Sequence, residues 1–446
     1  MSLSPDQQRA LDMCLQGNNV FITGGAGVGK SHLTKLLVSK MREQGKTVRM
    51  TASTGVAASL VNGQTLHSLL GLGLADAPLD DLIRMALRRK PVVKIWREMD
   101  VLVIDEISMI DPAFFHKVDK IAGSIRGNPH ESFGGLQVLL VGDFFQLPPV
   151  PNRNSQPGDP KFVFESDSWR ETVDNCIELT QIFRQDDESP FAQMLRRIRR
   201  GELTLDDTEM LFNRVKAKPV CAPGVTPTHM YARRNNVHEL NQKHLDKLES
   251  STSVEYVRTV KTLLPNGQPG QSTTLTKFAA DVQKNMQAPA VLHIREGAQV
   301  MMLVNCNEMH LVNGSRGVVT GFVDGYPQVR FKNRTAVIQE HSWEYNREFV
   351  GDIVVTQVPL QLAWAVTIHK GQGTSLDCAE IALDRSVFEY GQAYVALSRV
   401  RSLEGLTLSS LDQRVIRADP KVTQFYAELA KRNASQNRKR SRDSEM

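Results

Sequence analysis

The sequence predicts an α/β protein built around two parallel sheets. Short apolar runs in the first third of the chain are each followed by a loop or a helical pattern, which is typical of strands buried on both faces of a sheet. These strands are expected at 20–23, 48–51, 101–104 and 138–141, with a helix at 31–44. A second alternating region begins near residue 162. Its expected elements are strands at 228–231, 353–358 and 379–383 and helices at 235–248 and 391–397.

The composition fits a globular chain but does not identify a partner. The 446 residues are 41% hydrophobic, and the formal net charge is +5. Residues 431–446 carry six Lys and Arg against Asp443 and Glu445, so this segment alone accounts for +4. The rest of the chain is nearly neutral, and a polyanion would therefore need a local concentration of positive residues. We expect residues 431–446 to form a disordered basic tail.

Several classes of protein are disfavoured by the sequence. The five cysteines form no C-x-x-C pair and no H-E-x-x-H motif occurs, so neither disulfides nor structural zinc are expected. No apolar run approaches the roughly 18 residues of a membrane span. We expect no membrane partner, a monomer, and an intracellular location: the nucleus for a eukaryote or a virus of eukaryotes, and otherwise the cytoplasm.

Two segments interrupt the alternating pattern. Residues 62–98 are too polar for a sheet strand and predict a small helical insertion in the first domain, with Arg88, Arg89, Lys90 and Lys94 exposed. Residues 251–350 contain short β-patterned runs separated by Gly, Asn and Pro, which predicts an inserted domain with a small antiparallel β-barrel. The expected boundaries are 1–165 for the first domain, 166–250 with 351–430 for the second, 251–350 for the inserted domain and 431–446 for the tail.

The stretch "FITGGAGVGKSHL" (21–33) fits the spacing G-x-x-x-x-G-K-[ST] between a predicted strand and a predicted helix. Such a P-loop holds phosphate oxygens with backbone N–H groups at a helix N-terminus. The ammonium of Lys30 would reach the outer phosphates, and the Ser31 hydroxyl could ligate Mg²⁺. We therefore expect a nucleoside triphosphate to bind here. The expected binding residues are Gly24, Gly25, Ala26, Gly27, Val28, Gly29, Lys30 and Ser31.

Two later strands end in residues suited to hydrolysis. The run "VLVIDEISMID" places Asp105 and Glu106 where the carboxyl edge of an open α/β sheet meets its ligands. Asp105 is expected to hold Mg²⁺ opposite Ser31, and Glu106 to orient and deprotonate the attacking water. The strand 138–141 ends in "GDFFQLPPV", where Gln146 could touch both the γ-phosphate and water.

Further motifs occur in a specific order along the chain. "LSPDQQRAL" is followed by the P-loop, "MTASTGVAA", "GQTLHSLLGLG", "DEISMID" and "FFHKVDKIA"; later come "LTQIFRQ", "GAQVMMLVN", "LVNGSRGVV", "TIHKGQG" and "AYVALSRVRSLEGL". Together these motifs resemble a superfamily-one DNA helicase of the petite-integration-frequency (PIF) family, which is related to RecD. The resemblance covers nearly the whole chain.

The resemblance implies two RecA-like domains with ATP between them. The first would supply Lys30, Ser31, Asp105, Glu106 and Gln146, with Gln7 contacting the adenine. The second would present Arg184 and Arg399 to the γ-phosphate, where a planar guanidinium can meet the charge of the transition state. Because these arginines would lie on another domain than the P-loop, hydrolysis would depend on closure of the two domains.

The resemblance also implies single-stranded DNA and forked or otherwise structured DNA as partners, in replication, repair or recombination. The implied strand contacts are Ser53, Thr54, Thr65 and His67 on the first domain and Thr367, His369 and Lys370 on the second. The implied activity is ATP-dependent unwinding with translocation from 5′ to 3′. The residues leave open a DNA-stimulated ATPase that remodels without strand separation. They also leave open a structural role for His67 in a buried turn and an ion-paired role for either arginine.

Two features depart from the PIF pattern. Gly371 in "HKGQG" stands where a serine is usual, which removes one possible hydroxyl contact. The first motif begins almost directly at Leu3, so neither a long leader nor a mitochondrial transit peptide is expected.

Overall fold

The chain, described by a computed structural model, divides into two compact units. Unit 1 comprises Met1–Leu203, Glu389–Tyr394 and Ile416–Met446, and unit 2 comprises Thr204–Phe388 and Val395–Val415. The structure describes residues 3–54, 57–58, 61, 63–72, 75–149, 161–184, 189–221, 225–232, 235–249, 252–306, 308–309, 311, 313–332, 334–347, 350–372 and 374–443. Side chains are not described at 235–236, 285, 346–347, 369–370 and 433–443.

The helices and strands are numbered in chain order. The helices are α1 (Pro5–Leu15), α2 (Lys30–Glu43), α3 (Leu66–Leu70), α4 (Leu79–Leu87), α5 (Lys90–Glu98), α6 (Pro112–Arg126), α7 (Asp167–Thr172), α8 (Pro190–Arg199), α9 (Leu205–Phe212), α10 (Asn235–Asp246), α11 (Thr273–Asn285), α12 (Ile368–Gly371), α13 (Gln392–Leu397) and α14 (Pro420–Asp443). The strands are β1 (Val20–Gly24), β2 (Val48–Ala52), β3 (Gln64–Thr65), β4 (Val101–Asp105), β5 (Gln137–Val141), β6 (Asn175–Leu179), β7 (Thr228–Tyr231), β8 (Ser253–Val257), β9 (Thr259–Leu263), β10 (Val291–Arg295), β11 (Gln299–Met302), β12 (Arg316–Val323), β13 (Tyr326–Phe331), β14 (Thr335–Val337), β15 (His341–Arg347), β16 (Gly351–Gln357), β17 (Leu360–Leu362), β18 (Ala365–Thr367), β19 (Ala379–Leu383) and β20 (Leu406–Leu411).

Unit 1 is organised by a parallel sheet of order β3-β2-β4-β5-β1-β6. The four strands expected from the sequence are confirmed, and β1 and β4 are buried along their whole length. Their continuous apolar character follows from helices covering both faces of the sheet. β6 joins the edge of this same sheet, so unit 1 extends to Leu203, whereas the boundary expected from the sequence is 165.

The helices of the unit 1 insertion are confirmed as α3, α4 and α5. Within the expected bounds 62–98, however, Gln64 and Thr65 form β3, so part of this segment does join the sheet. Each helix buries one side: Leu82 of α4 and Trp96 of α5 lie in the same core as the sheet. The indole Nε1 of Trp96 donates to the carbonyl oxygen of Leu69 at 3.4 Å, which ties α5 to α3. The basic residues of the insertion face solvent, as predicted: these are Arg88, Arg89, Lys90 and Lys94.

The C-terminal helix α14 returns to unit 1 and packs against its aromatic core. Phe425 stacks on Phe164 with ring centroids 4.4 Å apart, and Tyr426 stacks on Phe145 at 4.7 Å. α14 continues to Asp443, into the segment for which the sequence predicts a disordered tail. Within the described part of the chain, every helix is too short or too polar to span a bilayer.

Unit 2 contains a second parallel sheet of order β18-β7-β19-β20. The predicted strands 228–231 and 379–383 are confirmed as β7 and β19. The prediction of a parallel strand at 353–358 is wrong, because that run forms β16, which pairs antiparallel with β9 and β15. Residues along β16 alternate between buried and partly exposed, which is typical of an antiparallel strand with one solvated face. The prediction missed two strands of this parallel sheet, β18 and β20.

The inserted region of unit 2 is antiparallel, as predicted, but its closure into a barrel is not confirmed. Among the described residues, one sheet has the order β14-β13-β12-β11-β17, a second has β15-β16-β9, and a third pairs β10 with β8. Among the residues that the structure describes, the strand order of the five-stranded sheet ends at β14 on one side and at β17 on the other. It packs a core that includes Val300, Val329, Phe331, Leu360 and Trp364.

A disulfide in unit 2 corrects the expectation that the chain has none. Cys221 and Cys378 are bonded, with their Cα atoms 5.5 Å apart, although they are separated by 157 residues in the sequence. No local motif can reveal such a pair, because only the fold brings Cys221 next to Cys378, the residue that precedes β19. Arg316 donates from Nη2 to the Cys378 sulfur at 3.0 Å, so this sulfur also anchors a buried guanidinium.

Alkylation of cysteines tests the disulfide. The free thiols are those of Cys14, Cys176 and Cys306. Protein purified without reductant and denatured in excess iodoacetamide should therefore gain three carbamidomethyl groups by intact mass, and five after reduction. Cys221→Ser should gain four groups without reductant, since it frees the sulfur of Cys378. Five groups on the unreduced wild-type chain would contradict the pairing.

Candidate active site

The glycine-rich loop 24–29 connects β1 to α2 at the carboxyl edge of the unit 1 sheet. α2 begins at Lys30 and its N-cap residue is Gly29, which has a left-handed φ of 82°. Any side chain at this position would be strained, and its Cβ would lie 2.7 Å from Nε2 of Gln7. The first N–H groups of a helix lack partners within the helix, so this loop forms a site for an anion.

Gln7 links α1 to the glycine-rich loop. Its Oε1 accepts a hydrogen bond from the Ser4 backbone N–H at 3.1 Å, and its own N–H donates to Ser4 Oγ at 3.2 Å, which forms a capping box at the start of α1. Nε2 of Gln7 donates to the carbonyl oxygen of Val28 at 3.2 Å. The amide is thus placed beside the loop, as the adenine prediction requires, and that contact stays a prediction.

The side chain of Lys30 reaches back to the glycine-rich loop that precedes it. Its ammonium donates to the carbonyl oxygens of Gly24 at 2.7 Å and Gly25 at 2.9 Å. Burial lowers the pKa of Lys30, while the carboxylates of Asp143 and Glu106 act in the opposite direction. A partly desolvated ammonium at this position gains strongly from a charge-assisted hydrogen bond to an anionic oxygen.

Asp105 and Glu106 stand at the carboxyl end of β4, on the same edge of the sheet. Asp105 is buried, and its Oδ1 accepts a hydrogen bond from the Glu106 backbone N–H at 2.9 Å. Burial raises the pKa of Asp105, against the effects of that hydrogen bond and of Lys30. Glu106 has a left-handed φ of 52°, which is uncommon for a residue other than glycine. This turn directs the chain out of the strand immediately after Asp105.

Gln146 lies in the turn that follows β5. Its Nε2 donates to Oδ2 of Asp143 at 3.3 Å, and both residues are buried. The electrostatic influence of Asp143 also reaches Lys30, so the turn after β5 and the start of α2 form one neighbourhood. The structure therefore brings together the side chains that the sequence assigns to nucleotide chemistry from three different strands: Lys30, Asp105, Glu106 and Gln146.

Arg199, the last residue of α8, contacts residues at this edge of the unit 1 sheet. The sequence analysis did not identify it. Its guanidinium donates to both carboxylate oxygens of Asp143 at 2.9 to 3.2 Å and to Glu178 at 2.7 Å. The rings of Phe145 and Tyr426 lie 4.9 and 5.1 Å from its central carbon. Burial alone would raise the pKa of Asp143, but the charge and hydrogen bonds of Arg199 hold it below its ordinary value.

The placement of Arg184 corrects the expectation that it comes from the second domain. Arg184 belongs to unit 1, in the segment that follows β6. The preceding residue, Phe183, donates its N–H to the carbonyl oxygen of Gly27 at 2.8 Å. Because β6 pairs with β1, the chain beyond β6 emerges beside the glycine-rich loop of the same sheet. Its role toward a phosphate stays a prediction.

Arg399 belongs to unit 2, as predicted, and is buried with 2% of its surface exposed. Nε donates to the carbonyl oxygen of Val395 at 2.8 Å, and Nη2 donates to Ser398 Oγ at 2.8 Å. The guanidinium is thus held against α13, the helix that immediately precedes it. Its part in hydrolysis stays a prediction.

Comparison with known proteins gives the family. The PIF1-like helicase family model matches residues 2–209, and the model of the 2B domain of DNA helicase Pif1 matches residues 277–322. The structure of Pif1 from Bacteroides sp in complex with ADP-AlF4 superposes with a TM-score of 0.80 at 30% identity, over 97% of this chain and 98% of that one. The chain belongs to the PIF1-like helicase family.

Two further members of the PIF1-like family extend the comparison. The ATP-dependent DNA helicase PIF1 of Xenopus laevis is 40% identical over 445 residues, which is 97% of this chain and 65% of that protein. This chain thus spans just under two thirds of that relative. The Bacteroides Pif1 structure in complex with ADP-AlF3 and single-stranded DNA has a TM-score of 0.66 at 30% identity, over 97% of this chain and 98% of that one.

The strand-contact residues predicted on the first domain of this PIF1-like chain lie at one edge of the unit 1 sheet. Thr65 caps α3 by accepting from the Ser68 N–H at 3.1 Å, and Thr54 accepts from the Ala57 N–H at 3.2 Å. His67 stacks on Phe114 with ring centroids 3.7 Å apart, and burial lowers its pKa. The two threonine hydroxyls and one face of the imidazole therefore have structural partners.

Ser53 differs from its neighbours, because its Oγ is buried and has no hydrogen-bond partner among the described residues. In unit 2, Thr367 is the last residue of β18 and is buried. The side chains of His369 and Lys370 lie outside the part of the chain that the structure describes. The DNA contacts of all these residues stay predictions.

Loss of one partner of the buried Arg199–Asp143 pair should strongly destabilise unit 1. Asp143→Asn leaves the buried guanidinium without its carboxylate, so we expect a loss of about 3–5 kcal/mol in urea unfolding at pH 7. Since the folded-state pKa of Asp143 lies below the ordinary 3.8, the contribution of this pair persists at neutral pH and disappears as the pH falls through that lower value.

The matched control is Asp412→Asn, which removes the carboxylate of an equally bidentate but exposed pair with Arg414. This variant should unfold like the wild-type chain, because solvent screens an exposed pair. Equal stability of the Asp143 and Asp412 variants would contradict the importance assigned to the buried pair.

Proposed function

We propose that this chain is an ATP-dependent DNA helicase that moves along single-stranded DNA and unwinds duplex or other structured DNA. The observation that carries this proposal is the assembly of Lys30, Asp105, Glu106 and Gln146 at one edge of a parallel sheet. Membership of the PIF1-like helicase family supports the same conclusion. The Xenopus relative is a DNA helicase by name, and a Bacteroides relative binds ADP-AlF3 together with single-stranded DNA.

The proposed chemistry assigns one task to each side chain of the site. The N–H groups of residues 24–31 bind phosphate oxygens, and Lys30 moves its ammonium from loop carbonyls to the outer phosphates. Glu106 accepts a proton from the attacking water, and Gln146 orients that water beside the γ-phosphate. Arg184 and Arg399 stabilise the charge that develops in the transition state, which is worth about 10³ to 10⁵ in turnover for an arginine finger.

Ser31 and Asp105 would hold Mg²⁺ at this site. A hydroxyl and a carboxylate are the hard oxygen donors that this cation prefers, and the buried Asp105 carboxylate is costly to leave charged without a cation nearby. When bound, Mg²⁺ would neutralise charge on the phosphates. The electrostatic effect of Lys30 on Asp105 is consistent with a carboxylate that adjoins the phosphate site.

The proposed partner is single-stranded DNA, and the proposed substrates are forked or otherwise structured DNA. The chain is proposed to act as a monomer. Ser53, Thr54, Thr65 and His67 in unit 1 and Thr367, His369 and Lys370 in unit 2 would contact the single strand. Hydroxyl groups on phosphates and rings on bases do not read sequence, which suits a motor that must track any strand. The proposed direction, 5′ to 3′, rests on the resemblance to the PIF family.

Glu106→Gln should separate binding from hydrolysis. The amide keeps the size of the side chain but cannot accept the proton, so kcat for ATP should fall by about 10² to 10⁴. Affinity for ATP and for single-stranded DNA should stay within twofold of wild type. The control is Glu98→Gln, which changes an exposed carboxylate of α5 and should leave turnover unaltered. A Glu106→Gln chain with near-normal turnover would remove Glu106 from its proposed role.

Unwinding of tailed duplexes tests the helicase proposal directly. A duplex with a 5′ single-stranded tail should be separated in the presence of ATP, whereas one with only a 3′ tail should remain intact. Lys30→Ala should unwind neither substrate, since the loop loses its phosphate-binding ammonium. Intact ATPase with no unwinding on either tail would favour a DNA-stimulated remodeller over a helicase.

A further inference from the structure

A tyrosine of α13 contacts the glycine-rich loop. The hydroxyl oxygen of Tyr394 accepts a hydrogen bond from the backbone N–H of Ala26 at 2.7 Å. The tyrosine is 4% exposed, and the hydrogen bond is partly buried. A Cβ on Gly25 would lie 3.1 Å from the same oxygen, and a glycine at this position therefore allows the close approach.

The Ala26 N–H is one of the groups that a P-loop offers to a phosphate. This N–H group already donates a hydrogen bond of 2.7 Å to the tyrosine oxygen. A phosphate oxygen can accept from the same N–H group only by replacing the hydroxyl. An anionic oxygen is a stronger acceptor than a neutral phenol, so the exchange favours the phosphate. The tyrosine hydroxyl and a phosphate are therefore competitors for one donor.

Lys30 also pairs with backbone groups of the glycine-rich loop. Its ammonium donates to the carbonyl oxygens of Gly24 and Gly25, so the loop satisfies its carbonyls through Lys30 and one amide through Tyr394. The two contacts pair the Gly24 and Gly25 carbonyls and the Ala26 N–H within unit 1. Binding of a triphosphate must exchange both contacts.

We propose that Tyr394 is a positioning residue that latches the glycine-rich loop and is displaced by the phosphates of the incoming nucleotide. This proposal rests on the proposed function, since it assumes that the loop binds ATP. Because the nucleotide must displace the tyrosine hydroxyl, the latch lowers the affinity of the loop for nucleotide.

Calorimetric titration with ADP, without DNA, tests the latch. Tyr394→Phe keeps the ring but removes the oxygen that competes with phosphate, so Kd for ADP should fall by about two- to tenfold, as expected for one net hydrogen bond. The control is Tyr390→Phe, whose ring packs near Lys161 and Arg417, at 5.2 and 4.7 Å. It should bind ADP like wild type.

Hydrogen exchange of the segment 21–33 provides a second measurement that needs no nucleotide. The Ala26 amide should exchange faster in Tyr394→Phe than in the wild-type chain. With saturating ADP, this amide should be equally protected in both chains. Unchanged exchange together with unchanged Kd would overturn the latch. Weaker ADP binding by Tyr394→Phe would also overturn it, because the hydroxyl would then serve the nucleotide. Failure of the wild-type chain to bind ADP would instead overturn the proposed function, while the exchange result would still decide the contact.

Discussion

The buried ion pair between Arg199 and Asp143 is the constraint on which the edge of the unit 1 sheet depends. Asp143 follows β5, and Arg199 ends α8 and also reaches Glu178 of β6. The ring of Tyr426 covers the guanidinium, and its hydroxyl bonds to Thr23 of β1. One cation thus joins segments that are far apart in the chain, and a buried charge with fixed partners permits few alternative arrangements of them.

The nucleotide site is built on this framework by a simple geometric rule. The carboxyl ends of parallel strands meet at one edge, so residues that follow β1, β4 and β5 become neighbours without being close in sequence. The loop after β1 contributes backbone donors, the turn after β4 contributes carboxylates, and the turn after β5 contributes Gln146. The residues brought together at this edge therefore all belong to unit 1, whereas Arg399 belongs to unit 2.

Local sequence patterns predicted many of the strands and helices. The features that the sequence analysis missed depend on contacts between residues that are far apart in the chain. The strands at 20–23 and 101–104 were predictable because continuous burial leaves a continuous apolar run, and the P-loop was predictable because its chemistry needs fixed spacing. β16 was misassigned because an apolar run does not reveal the direction of its partner strand. Arg199 is one of several arginines in "MLRRIRRG", and nothing local distinguishes it. The Cys221–Cys378 bond and the contact of Tyr394 with Ala26 likewise join residues that only the fold brings together.

We propose that productive ATP turnover requires a DNA strand that contacts residues of both units. Steady-state ATP turnover of the purified chain should be measured with and without a saturating single-stranded oligonucleotide at fixed salt. We expect slow turnover without DNA and a rise of at least tenfold with it, since an arginine finger contributes about 10³ or more when it is in place. An equal rate in both conditions would refute this dependence of hydrolysis on DNA.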